Sequence, residues 1–424
     1  MSISQNFPEE GPTLNLNFAG SKTLDPRITF TRTSTGTYMN ANGLITIAPT
    51  DTPRFEHSYT GTNVESLGLL IEESRTNLLT GSDDFGPLYW VKLNSVGVST
   101  NVTSSPDGTT NADKFTENTD TSHKVLARSF TLTASTTYTF SIFVKSAERS
   151  NILINLRKSD YSTRFGGFFN LTTKTFTGET AAGGTLLSSS IVEYPNNWFR
   201  LTITGDIGAN TAAVTTLYLM DTNNNIGYTG DGTSGIFLWG AQLEASAFPT
   251  SYIPTVASTV TRSADTASMT GTNFSSWYNP TASTGGTILA QARRGYSGNF
   301  SGYPNLYTIN DGTTNNRILA YGADTSTQFA NYSITTGGVN QTDYVTVSVS
   351  TTNLFKSIHT FATNSSTFCV NGTLTTTDTS VTLPTVNRLF IAWDGGAQFW
   401  NGTISSISYY PTRLPNSQLQ TLTR

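Results

Sequence analysis

Charge is what this sequence has least of. Charged residues make up 12% of its 424 positions, about half the roughly 25% of an ordinary soluble chain. The net charge of −4 argues against a broad phosphate-binding face, so nucleic acid is not an expected partner. Cys369 is the one cysteine, which excludes an intrachain disulfide and a cysteine-based zinc site. Its alternating setting, Thr367-Phe368-Cys369-Val370, reads as a buried small hydrophobe. The histidines His57, His123 and His359 lie far apart, so no paired-histidine metal motif exists, and neither G-x-S-x-G nor a phosphate-cradling glycine loop is present. No apolar run approaches the ~20 residues that span a bilayer. The opening MSISQNFPEEG lacks the basic and apolar regions of a secretion signal, which implies synthesis in a cytoplasm.

Thr, Ser, Asn and Gly take the place of the missing charge, and aromatics reach 11%, enough to build cores and to argue against disorder. A chain of this length is too long for one core, and two or three domains are expected. The segments Tyr138 to Lys145, Ile152 to Leu156, Trp198 to Ile203, Leu217 to Leu219 and Ile236 to Leu243 alternate or run apolar between Gly, Asn and Pro turns. Such short strands indicate antiparallel sandwiches. In the last of them Phe237, Trp239, Ala241 and Leu243 should face one way, and Ile236, Leu238, Gly240 and Gln242 the other. Trp198, set within a strand, reads as core rather than as a sugar platform. The expected class is all-β: a small N-terminal β unit over 1–80, then two antiparallel β-sandwich domains over 81–256 and 257–424. Thr255 to Ala264 should be the junction between the sandwiches, so that a chain beginning near Thr261 folds alone.

Charge is concentrated at Arg27, Arg32, Arg54, Glu72, Glu73 and Arg75. Glu72 and Glu73 are neighbours on a strand and point to opposite faces, poor geometry for an acid–base pair. Arg–Glu pairs knitting the first unit or a subunit contact are the better reading.

The blocks D-P-R-I-T-F-T-R, R-F-E-H and G-L-L-I-E-E-S-R-T-N-L-L resemble a segment that often precedes a β-sandwich in bacteriophage tail and spike proteins. Y-T-F-S-I-F-V-K, N-N-W-F-R-L-T-I-T and the strand G-A-Q-L-E running into T-S-Y-I-P resemble the carbohydrate-binding-module-like jelly roll of phage tail fibres and head spikes. The closing run Phe399-Trp400-Asn401-Gly402-Thr403-Ile404, with Arg413-Leu414 and a short helix to Leu422, resembles concanavalin A-like (laminin-G-like) sandwiches. It departs from their F-x-G-x-I pattern by one inserted residue. The resemblance implies a jelly roll followed by a concanavalin A-like sandwich on a phage particle, with 1–80 attaching to other virion proteins.

Aromatics in polar, glycine-rich loops can stack on sugar rings while neighbouring polar groups bond hydroxyls. Trp277, Tyr278, Tyr296, Tyr303, Trp393 and Asp394 are the carbohydrate-binding candidates; no catalytic residue is assigned. Asp221, Asn223 and Asn225 open an oxygen-rich loop, a weak Ca2+ candidate. The loop lacks the glycine and glutamate of an EF-hand, and a plain polar turn competes with it. No other cofactor is expected.

The function expected is that of a virion structural protein, a tail fibre, tailspike or head fibre. It would recognise a host cell-surface glycan without catalysis and assemble as a homotrimer, with no membrane insertion. A capsid decoration protein is the first alternative and a polysaccharide depolymerase the second.

Overall fold

The structure, a computed structural model, describes residues 7–180, 183–209, 211–280, 284–296, 302–323, 329–342, 347–348, 350 and 352–424. It is an all-β molecule of antiparallel sheets, as its alternating segments predict. The alternation of Tyr344 to Val349 predicts a strand, and most of that run lies outside the described residues; Val347–Ser348 pairs with Phe329 and Ala330.

The central sandwich has two six-stranded sheets. One runs Thr185–Tyr194, Trp198–Asp206, Tyr138–Ser146, Gly235–Glu244, Ala112–Thr116, Gly97–Thr103; the other runs Thr175–Thr180, Arg164–Asn170, Asn151–Lys158, Ala212–Leu219, Lys124–Thr131, Val91–Leu93. Alternation fills the space between them: Phe140, Ile142 and Val144 meet Ile152, Ile154, Leu217 and Leu219 in one core. Phe143, on the opposite face, packs with Trp198, Trp239 and Tyr252.

The strand Gly235–Glu244 corrects the expected facing. Ile236 and Leu238 share the core with Ala241 and Leu243, while Trp239 lies on the outer face. The cause is a register shift: Phe143 pairs with Trp239 but Ser141 with Gln242, one extra residue on this strand. Gly240 takes φ 61° there, and a Cβ on it would stand 2.9 Å from the Phe143 ring. A bulge of one residue flips every side chain beyond it.

The second sandwich is not confined to residues after 256. One sheet runs Thr373–Leu374, Ser365–Val370, Phe355–Ala362, Gly286–Arg294, Gly402–Tyr410, Val64–Ile71, Phe55–Tyr59. The Gly402–Tyr410 strand pairs with Leu69 to Ile71 over its first part and with Leu14–Asn17 over its last. The facing sheet begins Thr29–Thr31, Thr266–Thr270, Arg388–Ile391 and continues through Asn305–Asn310, Arg317–Ala323 and Phe329–Thr336. One core holds Leu14, Leu16, Phe18, Leu69 and Ile71 with Ile288, Tyr307, Ile334, Phe361 and Ile404. The expectation of a separate unit over 1–80 is therefore corrected. The four strands Leu14–Asn17, Thr29–Thr31, Phe55–Tyr59 and Val64–Ile71 are too few to cover their own apolar face, and they complete the second sandwich instead. The central sandwich is inserted between its first strands and the rest.

The expected junction is also crossed by contacts: Val260–Arg262 pairs with Arg75–Asn77. By contrast, both sheets and the core of the central sandwich lie within its own stretch of chain. A fragment spanning 75–258 is expected to melt in one cooperative transition by circular dichroism. An aggregate, or a melt without a transition, would show that the central sandwich depends on its host.

Arg32, Arg54 and Glu72 meet Arg262 and Asp265 at this insertion point. Asp265, fully buried, accepts from Arg32 Nη1 at 2.9 Å and from the Glu72 amide at 3.0 Å, and pairs with Arg54 Nη2. Arg54 Nη1 lies 2.8 Å from Glu72 Oε2 and donates to Ser251 Oγ at 2.7 Å. Glu72 accepts from both the amide and the hydroxyl of Ser251, each at 2.7 Å. Burial alone would raise the Glu72 carboxyl, but Arg262, Arg54 and Ser251 outweigh it and hold it at about 2. Arg54–Glu72 and Arg75–Glu73 thus pair within the first segment as expected, and the network also ties that segment to the exit of the central sandwich through Ser251 and to residues 262–265.

Candidate functional site

Trp277 and Tyr278 are core residues, 2% and 9% exposed, which corrects their reading as sugar platforms. With Phe274 they close one end of the second sandwich against Tyr409. A short helix, Thr272–Ser275, brings the three aromatics to one side. Their i, i+3, i+4 spacing is the signal in the sequence that could have placed them inside.

The other candidates gather near one cleft of about 470 Å³ at the seam between the sandwiches. Tyr296 is in its wall and is itself buried. Its ring stacks on Phe248 of the central sandwich, centroids 3.7 Å apart and planes 8° from parallel. Arg294 donates to its hydroxyl at 2.7 Å, and the Arg75 guanidinium lies 5.4 Å from the Phe248 ring. Tyr296 therefore presents a ring edge rather than a free face. Trp393 is half-buried, anchored by its Nε1 to the Ala267 carbonyl at 3.2 Å, and stacks against Phe399 at 5.8 Å and 16°. Phe399 lines the cleft directly. Tyr303, 61% exposed, stands edge-on to Tyr321, and its amide donates to Gln398 Oε1 at 2.8 Å. Asp394 does not face a ligand with both oxygens free: Oδ1 accepts from the amides of Gly396 and Gln398 at 2.7 and 3.1 Å. It shapes the turn that carries Gln398 and Phe399.

Phe248, Phe399, Gln398, Glu73 and Arg75 line this cleft and were missed as candidates. Trp400 drew attention in the closing run, yet it is buried, with Nε1 bonded to the Arg293 carbonyl. Its neighbour Phe399, also ahead of the strand Gly402–Tyr410, packs at the edge of the same core and lines the cleft. Glu73 pairs with Arg75, and burial raises its carboxyl above the usual range. Glu72, on the opposite face, belongs to the buried charge network.

The Asp221 loop is closed on itself. Asp221 Oδ1 accepts from the amides of Asn223 and Asn225 at 2.9 and 2.8 Å, and Oδ2 from the Asn225 side chain at 2.9 Å. Among the described residues no cluster of three His, Cys, Asp or Glu side chains is placed to hold a metal. Trp198 and Cys369 are both fully buried, the reading their strand settings favoured.

No family model and no curated protein sequence matches the chain. Among solved structures, it is similar to the Ruminococcus gnavus IT-sialidase CBM40 bound to α2,3-sialyllactose at 14% identity and TM-score 0.27, over 34% of this chain and 85% of that one. Similarity to the CBM22-1–CBM22-2 tandem domain of Paenibacillus barcinonensis Xyn10C covers 81% of this chain and 98% of that one, at 10% identity and TM-score 0.26. Mouse laminin α1 domains LG4-5 match over 70% of this chain and 89% of theirs, at 9% identity and TM-score 0.23. The sandwich architecture rests on the sheet order and the two cores themselves.

Proposed function

We propose that this protein is a glycan-binding virion protein of a bacteriophage, a fibre or spike component that holds a host-surface saccharide without cleaving it. The observation that carries the binding reading is the seam cleft, where aromatic side chains of both sandwiches border a polar space of small-molecule size. The half-buried Phe399 in the lining and the exposed Tyr303 beside Gln398 offer ring surface to the apolar face of a sugar, and Gln398, Thr136 and Thr137 can exchange hydrogen bonds with its hydroxyls. Glu73 is the one carboxylate in the lining, and it is engaged by Arg75. Glycoside hydrolysis commonly uses a pair, so a single engaged carboxylate supports the holding reading. The virion setting is supported by the phage-like sequence blocks. R-F-E-H, G-L-L-I-E-E-S-R and T-S-Y-I-P supply Arg54, Glu72 and Ser251 to one buried network, so they act as parts of one device. A trimer and attachment to other virion proteins belong to the same reading.

The test is adsorption of the full-length protein to bacterial cells and to their extracted surface polysaccharide. Phe399→Ala is expected to lower affinity about tenfold, the loss of one stacking contact worth roughly 1–1.5 kcal/mol, with a single cooperative melt retained. Adsorption that is absent in the wild type, or equal in the variant, would remove this cleft as the site.

A further inference from the structure

A second cleft, of about 340 Å³, lies across the seam from the first. Four chain segments separate the two, each giving adjacent residues to opposite sides. Glu73, Phe248, Tyr296 and Asn401 line the first cleft; Glu72, Pro249, Gly295 and Gly402 line the second. The central sandwich contributes Glu193, Tyr194 and Arg200 to the second cleft, and the other sandwich contributes Glu56 and His57.

The polar atoms here are not all used. His57 is 6% exposed, and its Nδ1 lies 3.0 Å from the Met39 carbonyl. A carbonyl only accepts, so Nδ1 carries the proton and Nε2 presents a lone pair. That Nε2 is buried with no hydrogen-bond partner among the described residues. Arg200 is 9% exposed; Nη1 donates to the Thr250 carbonyl and Nη2 to Ser141 Oγ, at 2.8 and 2.9 Å. Its Nε is buried and likewise without a partner, as is Nε of Arg293 in the same lining. Glu56 Oε1 accepts the amides of Met39 and His57 at 2.7 and 3.0 Å. Burial pushes its carboxyl up to about 7, so near neutrality part of the population can donate as well as accept. Buried polar atoms left over in a cleft are either solvated or waiting for a ligand that satisfies them.

We infer that this second cleft is a separate binding site for a neutral, hydroxyl-rich ligand, a short stretch of uncharged saccharide. A sugar hydroxyl is both donor and acceptor, so it can give its proton to His57 Nε2 while another accepts from Arg200 Nε. A simple cation or anion could satisfy only one of them. The lining mixes both signs, Glu56, Glu72 and Glu193 with Arg200, Arg293 and Arg294, and Glu72 and Glu193 are already paired with Arg54 and Lys174, so it offers no block of one charge to an ion. Tyr59, Tyr194 and Pro249 in the same lining offer apolar surface for ring carbons. With the first cleft, one chain would then hold two points of a surface polysaccharide, and linking two weak sites raises avidity by ~10² or more where their spacing fits.

The chain has three histidines, which makes a direct readout practical. The full-length protein, labelled with 15N-histidine, is titrated with maltotriose, cellotriose and mannotriose to roughly 10 mM, above the ~1 mM Kd expected of a single weak site. His57→Phe assigns the His57 ring signal; should that variant fail to fold, His57→Gln serves the same purpose. The expected result is a saturable shift of His57 Nε2 with at least one trisaccharide, with His359, in the core, unmoved. The shift should persist in Phe399→Ala, which separates this site from the first cleft. A His57 signal unmoved by all three sugars overturns the inference. A shift that disappears in Phe399→Ala overturns it too, since the signal would then report the first cleft alone.

Discussion

A chain beginning at Thr261 is expected not to fold. It would carry most of both sheets of the second sandwich but lack Leu14–Asn17, Thr29–Thr31, Phe55–Tyr59 and Val64–Ile71. Leu14, Leu16, Phe18, Leu69 and Ile71 are each at most 2% exposed in the shared core. At roughly 1.5–3 kcal/mol for each fully buried side chain, these five contribute on the order of 7–15 kcal/mol. That equals the whole net stability of a typical domain, about 5–15 kcal/mol. The Gly402–Tyr410 strand would also become an open edge along the side where Leu69 to Ile71 and Leu14–Asn17 now pair, and exposed edges aggregate. The truncated chain should therefore be insoluble or show no cooperative melt. A chain in which a short Gly-Ser linker replaces 79–256 should recover one, because Asn77 and Val260 lie opposite each other in a strand pair and the linker has little to span. A sharp transition in the truncated chain would mean that the shared core is dispensable.

Period-2 alternation made Tyr138–Ser146 legible, whereas the alternating run Phe361 to Val370 holds the end of one strand, Phe355–Ala362, a turn, and a second strand, Ser365–Val370. The Asn371-Gly372 turn was legible for a local reason as well, both residues taking positive φ, 46° and 80°, as a two-residue hairpin requires. What alternation cannot carry is the identity of the strand partner. Nothing in Leu14–Asn17 names Tyr409 as its neighbour, so a segment first in the chain read as a unit of its own. The bulge at Gly240 was hidden for a related reason. A glycine within an alternating run keeps the apolar count and changes only the phase.

The candidate site was legible in its chemistry and not in its members. Polar, glycine-rich loops with aromatics do border the seam cleft, yet Trp277 and Tyr278 were drawn into the core by a helical turn. Phe248 and Phe399 lie between strands, and no local pattern marks them as cleft residues. Tyr296 was placed in a loop, but its stacking partner Phe248 comes from the other sandwich, a contact that no local pattern encodes. Glu72 and Glu73 line one cleft each, the opposite facing that was expected, although they lie between the strands Val64–Ile71 and Arg75–Asn77 and not on one.

Asp265→Asn is expected to cost about 3–5 kcal/mol, the usual loss when one partner of a buried ionic network is removed. The substitution keeps the shape and removes the charge. Arg32, Arg54 and Arg262, each at most 1% exposed, would then face Glu72 as their one remaining close carboxylate. An amide can accept from one guanidinium but cannot balance two. At about 2–4 °C per kcal/mol for a domain of 150–250 residues, the second sandwich should melt roughly 6–20 °C lower. Glu148→Gln is the control: its pair with Lys114 lies at the surface, with 53% of the Glu148 side chain exposed, and such pairs contribute at most about 1 kcal/mol. Acid should bring out the same network in the wild type. Glu72 has its folded value depressed to about 2 from an ordinary carboxylate value near 4.3. Its contribution is therefore complete above the unfolded value and is lost as pH falls from about 4 toward 2. In Asp265→Asn the buried positive charge lacks its main counter-ion already at neutral pH, so the variant should unfold at a higher pH than the wild type during an acid titration followed by tryptophan fluorescence. Equal midpoints in heat and in acid would mean that the network contributes nothing to holding the insertion point together, and that backbone pairing across the seam alone suffices.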